Sequence, residues 1–562
     1  MVKQQHFNLV TEPWIKVIVA ATGESKTVSL MNLFANAQDY RQLAGDMRAQ
    51  DFAVMRLLLA ILHTVYSRYD ADGEAYEWLD VDDVTMQVTK DDSDEDFAAD
   101  LLETWKSLFE TGHFTEVVNQ YLTTYQQSFD LFGERPFYQV TSEEYDNVVP
   151  VKKRVATGTG TVAIKQINRL ISESANTPNI FTPKTNAYKN RVSKGELARW
   201  LVMYQNFTGV TDKTKVTTDE KYSTPAGWAY RLNPVYVKGQ SVFETLMLNL
   251  VMVNQDEYAI EKPIWETSSN LAYIDARKKV IKPDNLAELY TTWSRVLHIE
   301  WNDDNNPTIF SAGLPIFDAF DMFIEPMTVW KQDTKEKPPV FKPAMKGTRS
   351  LSKTMWRNFG QYVNVERSDD AHEPGVVSWT RHLKDRHAIS DDKKLTLVSV
   401  ALISDGNATS QSPVAEVTDD MTVNADVLFD DENSRRWPVQ IEHMIDLSQQ
   451  IGKDYWKYVA DIATIRGLSN SDFSNRESGK FYESLNEPFR NWLSSLTNQD
   501  NRDKKVVQWK KQLATIVLRC ADQFRQVTTS RDIQGIVDDK GNQVNAFTAY
   551  NRLRRNVNRD LK

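Results

Sequence analysis

A single cysteine, Cys520, among 562 residues decides what kind of core this chain must build. One thiol permits no intrachain disulfide and no Cys-based zinc module, so the folded state rests on buried apolar surface. The material is there: 41% of residues are hydrophobic and 26% charged, which is ordinary globular composition and excludes a collagen-like, wholly disordered or membrane-bundle chain. The length allows three or four domains, or one large irregular domain with a smaller partner. No apolar run approaches the roughly 20 residues of a membrane span; LLLAIL at 57–62 and residues 397–403 are far too short. The start, MVKQQHFNLVTEPW, lacks a basic segment followed by an apolar core, so a cytoplasmic protein without membrane contact is expected.

Lysine and arginine number 67 against 77 aspartates and glutamates, a formal net charge of −10. Free-standing, charge-driven binding to nucleic acid depends on clustered cations neutralising phosphates. An acidic chain would need local patches for it, or charge supplied by partners. Residues 70–100 hold thirteen acids and one base, Lys90, and read as solvated loop or weak helix, with a basic partner as the other reading.

Residues 7–10 and 14–19 read as a strand pair interrupted by Pro13. Ser29 is placed to cap a helix, and residues 51–66 carry Phe52, Met55, Leu58, Leu59 and Leu62 at helical spacing. Between 149 and 227 the pattern turns irregular, with VKKRVATGTGT, SANTPNIFTPKTN and DEKYSTPAGW, as contact loops on a scaffold would be. The last quarter changes character. Ile451, Tyr455, Val459 and Ile462 mark one helical face, and Trp509, Leu513, Val517, Cys520 and Phe524 mark another. With segments 472–496 and 542–561 these complete a bundle, and Cys520 is expected on a buried stripe. The predicted fold is α+β: a large irregular mixed amino-terminal domain, residues 1–430, followed by a C-terminal four-helix bundle, residues 431–562.

Chemistry is hard to find. The eight histidines form no HExxH or HxH, and His382 and His387, five apart, do not share a helix face. There is no GxxxxGK[ST] and no GxSxG. Fifteen tryptophans and many acids leave a Trp-rich carbohydrate hydrolase as an alternative, but no carboxylate pair is singled out. No catalytic residue, metal site or cofactor is assigned, and no enzyme activity is expected. One basic stretch stands out. Residues 331–357 hold Lys331, Lys335, Lys342, Lys346 and four further cations against Asp333 and Glu336, with Trp330, Phe341 and Trp356 interleaved. Such a stretch tracks a phosphate backbone or forms a solvated charged hairpin; both readings stand. The tail NRLRRNVNRDLK has five cations and one acid, a pattern also common at charged helix ends.

Six motifs in order carry a resemblance: FNLVTEPWIKV at 7–17, VSLMNLF, LFGERPFYQV at 131–140, ELARWLVMYQNFTGV at 196–210, VKGQSVFETLMLNLV at 237–251 and KPIWE at 262–266. With the LLLAILH helix, the whole chain resembles the CasA family, the large subunit of the type I-E CRISPR surveillance complex Cascade. The resemblance implies a non-catalytic subunit that recognises the short motif beside a DNA target, the PAM, through the minor groove and starts unwinding. The degenerate minor-groove code suits tolerance of several motifs. Implied partners are the guide CRISPR RNA, double-stranded target DNA with its PAM, the backbone, small and 5′-handle-binding Cascade subunits, and a helicase-nuclease recruited after R-loop formation. The alternative within this class is an assembly scaffold without PAM readout.

The resemblance also implies site residues. The PAM loop corresponds to Ser223, Thr224, Pro225, Ala226 and Gly227, whose small side chains would let backbone donors approach a groove floor. The wedge corresponds to Gln411, flanked by Ser410 and Ser412, which would enter the base stack and offset part of an unstacking cost of about a few kcal/mol per step. The family's hairpin lysine aligns near residues 321–323, where no lysine exists; Lys331 or another cation of the basic stretch would replace it, or the contact would be absent. A loop containing Phe181, Lys184, Lys189 and Arg191 would approach the guide RNA, with core packing as the alternative for Phe181. The four-cysteine zinc site of some members cannot form here.

Overall fold

The computed structural model describes residues 5–562 except 94–96, 159, 174–181, 210, 223–225, 254–257, 303, 349–350, 352, 366–371, 405–412, 432–435, 527–528, 538–540 and 542. The fold is α+β with a helical C-terminal region. The chain forms two compact units: Met1–Leu351 with Asp370–His382 and Val398–Thr418, and Ser352–Asp369 with Leu383–Leu397 and Asp419–Lys562.

The first unit is organised around the helix Arg48–Tyr66, in which every residue from Phe52 to Tyr66 is buried. A helix apolar on all sides belongs inside a core rather than on its surface, and this one is packed by the helices Lys194–Phe207 and Leu286–Thr291. Before it lies a small sheet in the order Ser25–Val28, Ile15–Val19, Tyr40–Leu43. The Ser29 hydroxyl accepts the Asn32 amide at 3.2 Å and so caps the helix Leu30–Ala35, as its position predicts. Residues 7–10 form no strand of their own; Asn8 makes an isolated bridge with Asp130 while Leu9 and Val10 go into the core.

The acid-rich region is more ordered than its composition suggests. Strands Leu79–Val81 and Val88–Asp91 pair antiparallel, and the helix Phe97–Thr111 follows. Leu79, Phe97, Leu101 and Tyr76 bury together, with Trp78 stacked on Tyr76 at 4.9 Å. A few apolar anchors at alternate positions suffice for a hairpin while the acids face water. Strands Arg295–Glu300 and Thr308–Gly313 form another antiparallel pair. A three-stranded sheet sets strand Lys394–Ser404 between Val235–Lys238 and Pro413–Asn424.

In the second unit, helices Trp437–Arg466, Asn470–Ser494, Arg502–Gln526 and Ala546–Asp560 make the bundle, the first touching the other three. Gly467, at φ +68°, ends the first helix, and the Leu468 amide returns to the Ala463 carbonyl at 2.9 Å, a left-handed cap that glycine adopts without Cβ strain. Trp509 is fully buried, edge-on to Phe489 at 4.9 Å, and donates from Nε1 to Ser448 Oγ at 3.1 Å. Cys520 is half-buried rather than buried. The inward stripe runs through Trp509, Leu513, Ile516, Val517, Ala521 and Phe524, so position 520 falls on its flank, with Sγ 3.6 Å from Ser484 Oγ.

Candidate nucleic-acid interface

The proposed PAM loop is flanked by two hydrogen-bonded stems. On the entering side, Tyr222 donates from its hydroxyl to the Gly313 carbonyl at 2.6 Å, and Lys215 Nζ donates to the Tyr222 carbonyl while lying over its ring. Burial pushes the Tyr222 phenol up from its ordinary pKa, keeping it a neutral donor. On the leaving side, the Gly227 amide donates to the Thr208 carbonyl at 2.8 Å, just beyond the helix Lys194–Phe207. A Cβ on Gly227 would sit 2.3 Å from the Asn206 carbonyl oxygen. Glycine is therefore required here for close approach to the protein's own helix end.

Trp228 follows and fixes the chain to the core. Its Nε1 donates to Glu325 Oε2 at 2.6 Å, and Glu325 also takes both Arg56 amino groups at 2.8 Å. Both charged side chains are 0% exposed, and the Arg56 guanidinium lies 4.1 Å above the Tyr290 ring. A forked, fully desolvated pair of this kind has one geometry only. Ala226 and Gly227 are thus buried members of the stem, with the Gly227 backbone donor already satisfied within the fold. Ser223, Thr224 and Pro225 lie outside the described residues.

The residues expected to form the wedge, Ser410, Gln411 and Ser412, also lie outside the described residues. They belong to the connection between the neighbouring strands Lys394–Ser404 and Pro413–Asn424. Close to the departing end, Glu416 Oε1 accepts the amide of Ala49 at 2.7 Å. That amide is in the first turn of the helix Arg48–Tyr66, whose N-cap, Met47, supplies no side-chain acceptor.

The basic stretch folds as an antiparallel hairpin, Trp330–Asp333 against Val340–Pro343, with Lys331 opposite Lys342. Lys331 and Lys335 are exposed. The other two expected cations are occupied: Lys342 pairs with Asp333, and Lys346 donates to Ser399 Oγ at 2.8 Å. The aromatics brace the hairpin: Phe323 lies 5.2 Å from Trp330 and 5.7 Å from Phe341, with His372 stacked on it at 4.2 Å. The segment that aligns with the family's hairpin lysine touches this hairpin, since Asp321 Oδ1 accepts the Phe341 amide at 2.7 Å.

The loop assigned to the guide RNA offers less free charge than expected. Phe181 lies outside the described residues. Lys184 donates to Glu196 at 2.8 Å and to the Arg191 carbonyl at 3.1 Å. Lys189 departs most from the expectation: it is buried and paired with Glu173, so a phosphate could reach it only by breaking a desolvated ion pair. Arg191 is exposed and rests over the Tyr188 ring at 5.2 Å.

Among the described residues no group of histidine, cysteine, aspartate and glutamate could hold a metal ion, and no helix is long and apolar enough to cross a membrane. Trp14, Trp105, Trp200, Trp228, Trp356, Trp437 and Trp509 are fully buried, which makes them core residues rather than the lining of a sugar cleft. Sequence reasoning missed the Arg56–Glu325–Trp228 anchor and the Glu416 cap. The available signal for the cap was a long helix starting at Met47, which must find an acceptor elsewhere.

Comparison with solved structures places this fold among CRISPR-associated proteins. It matches Thermobifida fusca Cse1 with a TM-score of 0.79 at 21% identity, over 99% of this chain and 98% of that one. Cse1 from Acidimicrobium ferrooxidans gives 0.72 at 19% identity over 100% and 99%. A chain of a solved CRISPR RNA-guided surveillance complex gives 0.69 at 13% identity over 98% and 99%. No curated protein matches in sequence. The family model for CRISPR-associated protein Cse1 matches residues 8–520, and the chain belongs to that family, the large subunit of type I-E Cascade.

Proposed function

We propose that this subunit recognises the PAM in double-stranded DNA from the minor groove with the loop 223–227, of which Ser223, Thr224 and Pro225 would reach the groove while Ala226 and Gly227 form the buried stem, and opens the duplex with Gln411, flanked by Ser410 and Ser412. Base pairing with the guide CRISPR RNA then supplies the sequence specificity. In this reading it works with the backbone, small and 5′-handle-binding subunits, supports recruitment of the helicase-nuclease once the R-loop exists, and catalyses no reaction itself. The contact loops belong to residues 1–430, and residues 431–562 serve as the bundle. The observation that carries the reading is the pair of hydrogen-bonded stems that flank residues 223–225, Tyr222 on one side and Gly227–Trp228 on the other: a short run of small residues on stems tied into the core can enter a groove without the stems yielding. Exposed Lys331 and Lys335 are available to phosphates, and Arg191 is the guide loop's exposed cation.

The test assembles the complex with Gln411→Ala and measures strand opening on duplex and on pre-melted target. The expected result is slower opening of duplex with little change on the pre-melted target. Equal opening of duplex by variant and parent would remove the wedge assignment.

A further inference from the structure

The last 61 residues, 502–562, hold fourteen lysines and arginines against six acids in a chain whose net charge is −10. The charge is most concentrated on the helix Ala546–Asp560. Its inward stripe is Ala546, Ala549, Tyr550, Leu553 and Val557. The opposite, solvent-facing side presents Asn551, Arg554, Arg555, Asn558 and Arg559, with Lys562 just beyond the helix end; together these line one shallow groove. No acid stands on that face, and Arg554 and Arg555 have no carboxylate partner among the described residues, whereas Arg559 pairs with Asp560 at 2.7 Å. Phe547, 44% exposed, lies one turn before Asn551 on the same side.

Helix stability does not explain this arrangement. Cations favour the last turn of a helix through its dipole, which accounts for Arg559, the one basic residue there, but not for Arg554 and Arg555. Arg555 stands three residues from Arg552 and four from Arg559, spacings where like charges oppose helix formation; Asp461 and Asp560 pair with those two neighbours, and Arg554 and Arg555 are left without a carboxylate among the described residues. A face that keeps two adjacent arginines without a counter-charge fits an anion. The arginine fork suits phosphate oxygens, and interleaved asparagines add neutral hydrogen-bonding groups. A protein partner would ask for an apolar centre to the patch, whereas here the one exposed aromatic sits at its end.

We propose that this face holds a single nucleic-acid strand, with Arg554, Arg555, Arg559 and Lys562 along its phosphates and a base stacked on Phe547. The residues from Asn551 to Lys562 extend over roughly 16 Å at the helical rise, enough for several successive phosphates. The proposal rests on residues of the second unit alone and does not depend on the PAM or wedge assignments.

The full-length chain is titrated with a fluorescein-labelled oligothymidylate over a salt series. Arg554→Ala/Arg555→Ala is expected to reduce the slope of log affinity against log salt by about 1.4, since each single-strand phosphate contact contributes about 0.7. Phe547→Ala is expected to weaken single-strand binding by about five-fold or more with the slope unchanged, and to leave binding of a blunt duplex unaffected. Lys152→Ala/Lys153→Ala removes the same charge from an exposed turn of the first unit and serves as control. A slope that changes equally in the control and the arginine variant overturns the proposal, as does an unchanged slope in both. Parent-like oligonucleotide binding by the arginine variant together with loss of another subunit during assembly would make the face a protein interface instead. All substituted side chains are exposed, so melting temperatures should match the parent.

Discussion

Glu416 accepts the amide of Ala49 at 2.7 Å across 367 residues of sequence, closing the first turn of a helix whose own N-cap residue, Met47, has no side-chain acceptor. The carboxylate complements the positive end of the helix dipole and satisfies an amide that would otherwise lack a partner. It does so from the strand Pro413–Asn424, which leaves the connection proposed to carry the wedge, so the departing stem of that connection is tied to the most buried helix of the first unit.

Glu416→Ala is accordingly expected to cost about 1 kcal/mol of stability, the usual penalty for losing a cap, read as a lower denaturation midpoint. If the stem positions the wedge, the variant also opens duplex more slowly in the assembled complex while pairing normally with a pre-melted target. Glu416→Gln keeps an acceptor oxygen and should recover most of both effects. Parent-like stability of the alanine variant would show that solvent caps the helix just as well.

Asp51, in the same first turn, predicts a pH effect. Its pKa is pushed up to about 6, first by burial and with a contribution from the Glu416 charge, against the Gly45 amide and Arg48, which favour the carboxylate. Between about 4 and about 6 the folded protein holds a proton that the unfolded chain has released. Stability from this group is therefore full below about pH 4 and is lost as pH rises through about 6, with a total on the order of 2–3 kcal/mol at 1.36 kcal/mol per unit. Asp51→Asn can still accept the Gly45 amide without the charge. Its melting temperature should exceed the parent's at pH 8 and approach it near pH 4. Glu261, pushed up to about 7 by burial, titrates in both proteins and cancels in the comparison. A difference that stays constant from pH 4 to 8 would exclude the assignment.

The long elements were legible where their apolar residues recur at helical spacing: residues 51–66 predicted Arg48–Tyr66, and the stripe Trp509, Leu513, Val517 and Phe524 predicted Arg502–Gln526. The hairpin Leu79–Val81/Val88–Asp91 was not, because its few anchors are surrounded by acids, and its aromatic support includes Tyr258, distant in sequence, edge-on to Trp78 at 4.8 Å. The same limit applies at the candidate site. Motif order pointed to the region of Gly227, but a sequence cannot reveal that Asn206 closes over that glycine. Nor does a lysine advertise its partner: Lys189 and Arg191 look alike in the loop sequence, yet Glu173 takes the first and leaves the second in solvent.

The Arg56–Glu325–Trp228 cluster makes the strongest demand on a single side chain. Glu325 receives both Arg56 amino groups, the Trp228 indole and the Met327 amide, all without solvent. Glu325→Gln keeps the shape but leaves a buried guanidinium without its counter-charge, which should destabilise the protein by about 3–5 kcal/mol. Trp228→Phe removes one donor and should cost about 1–3 kcal/mol. Because the two side chains share a hydrogen bond, their effects should fall short of additivity by at least 0.5 kcal/mol in a double-mutant cycle. Urea unfolding of the two single variants and the double variant checks this. Full additivity would mean that Trp228 fixes the loop stem by packing alone, through its ring contact with Phe317 at 4.9 Å, and that the hydrogen bond to Glu325 contributes nothing to holding it.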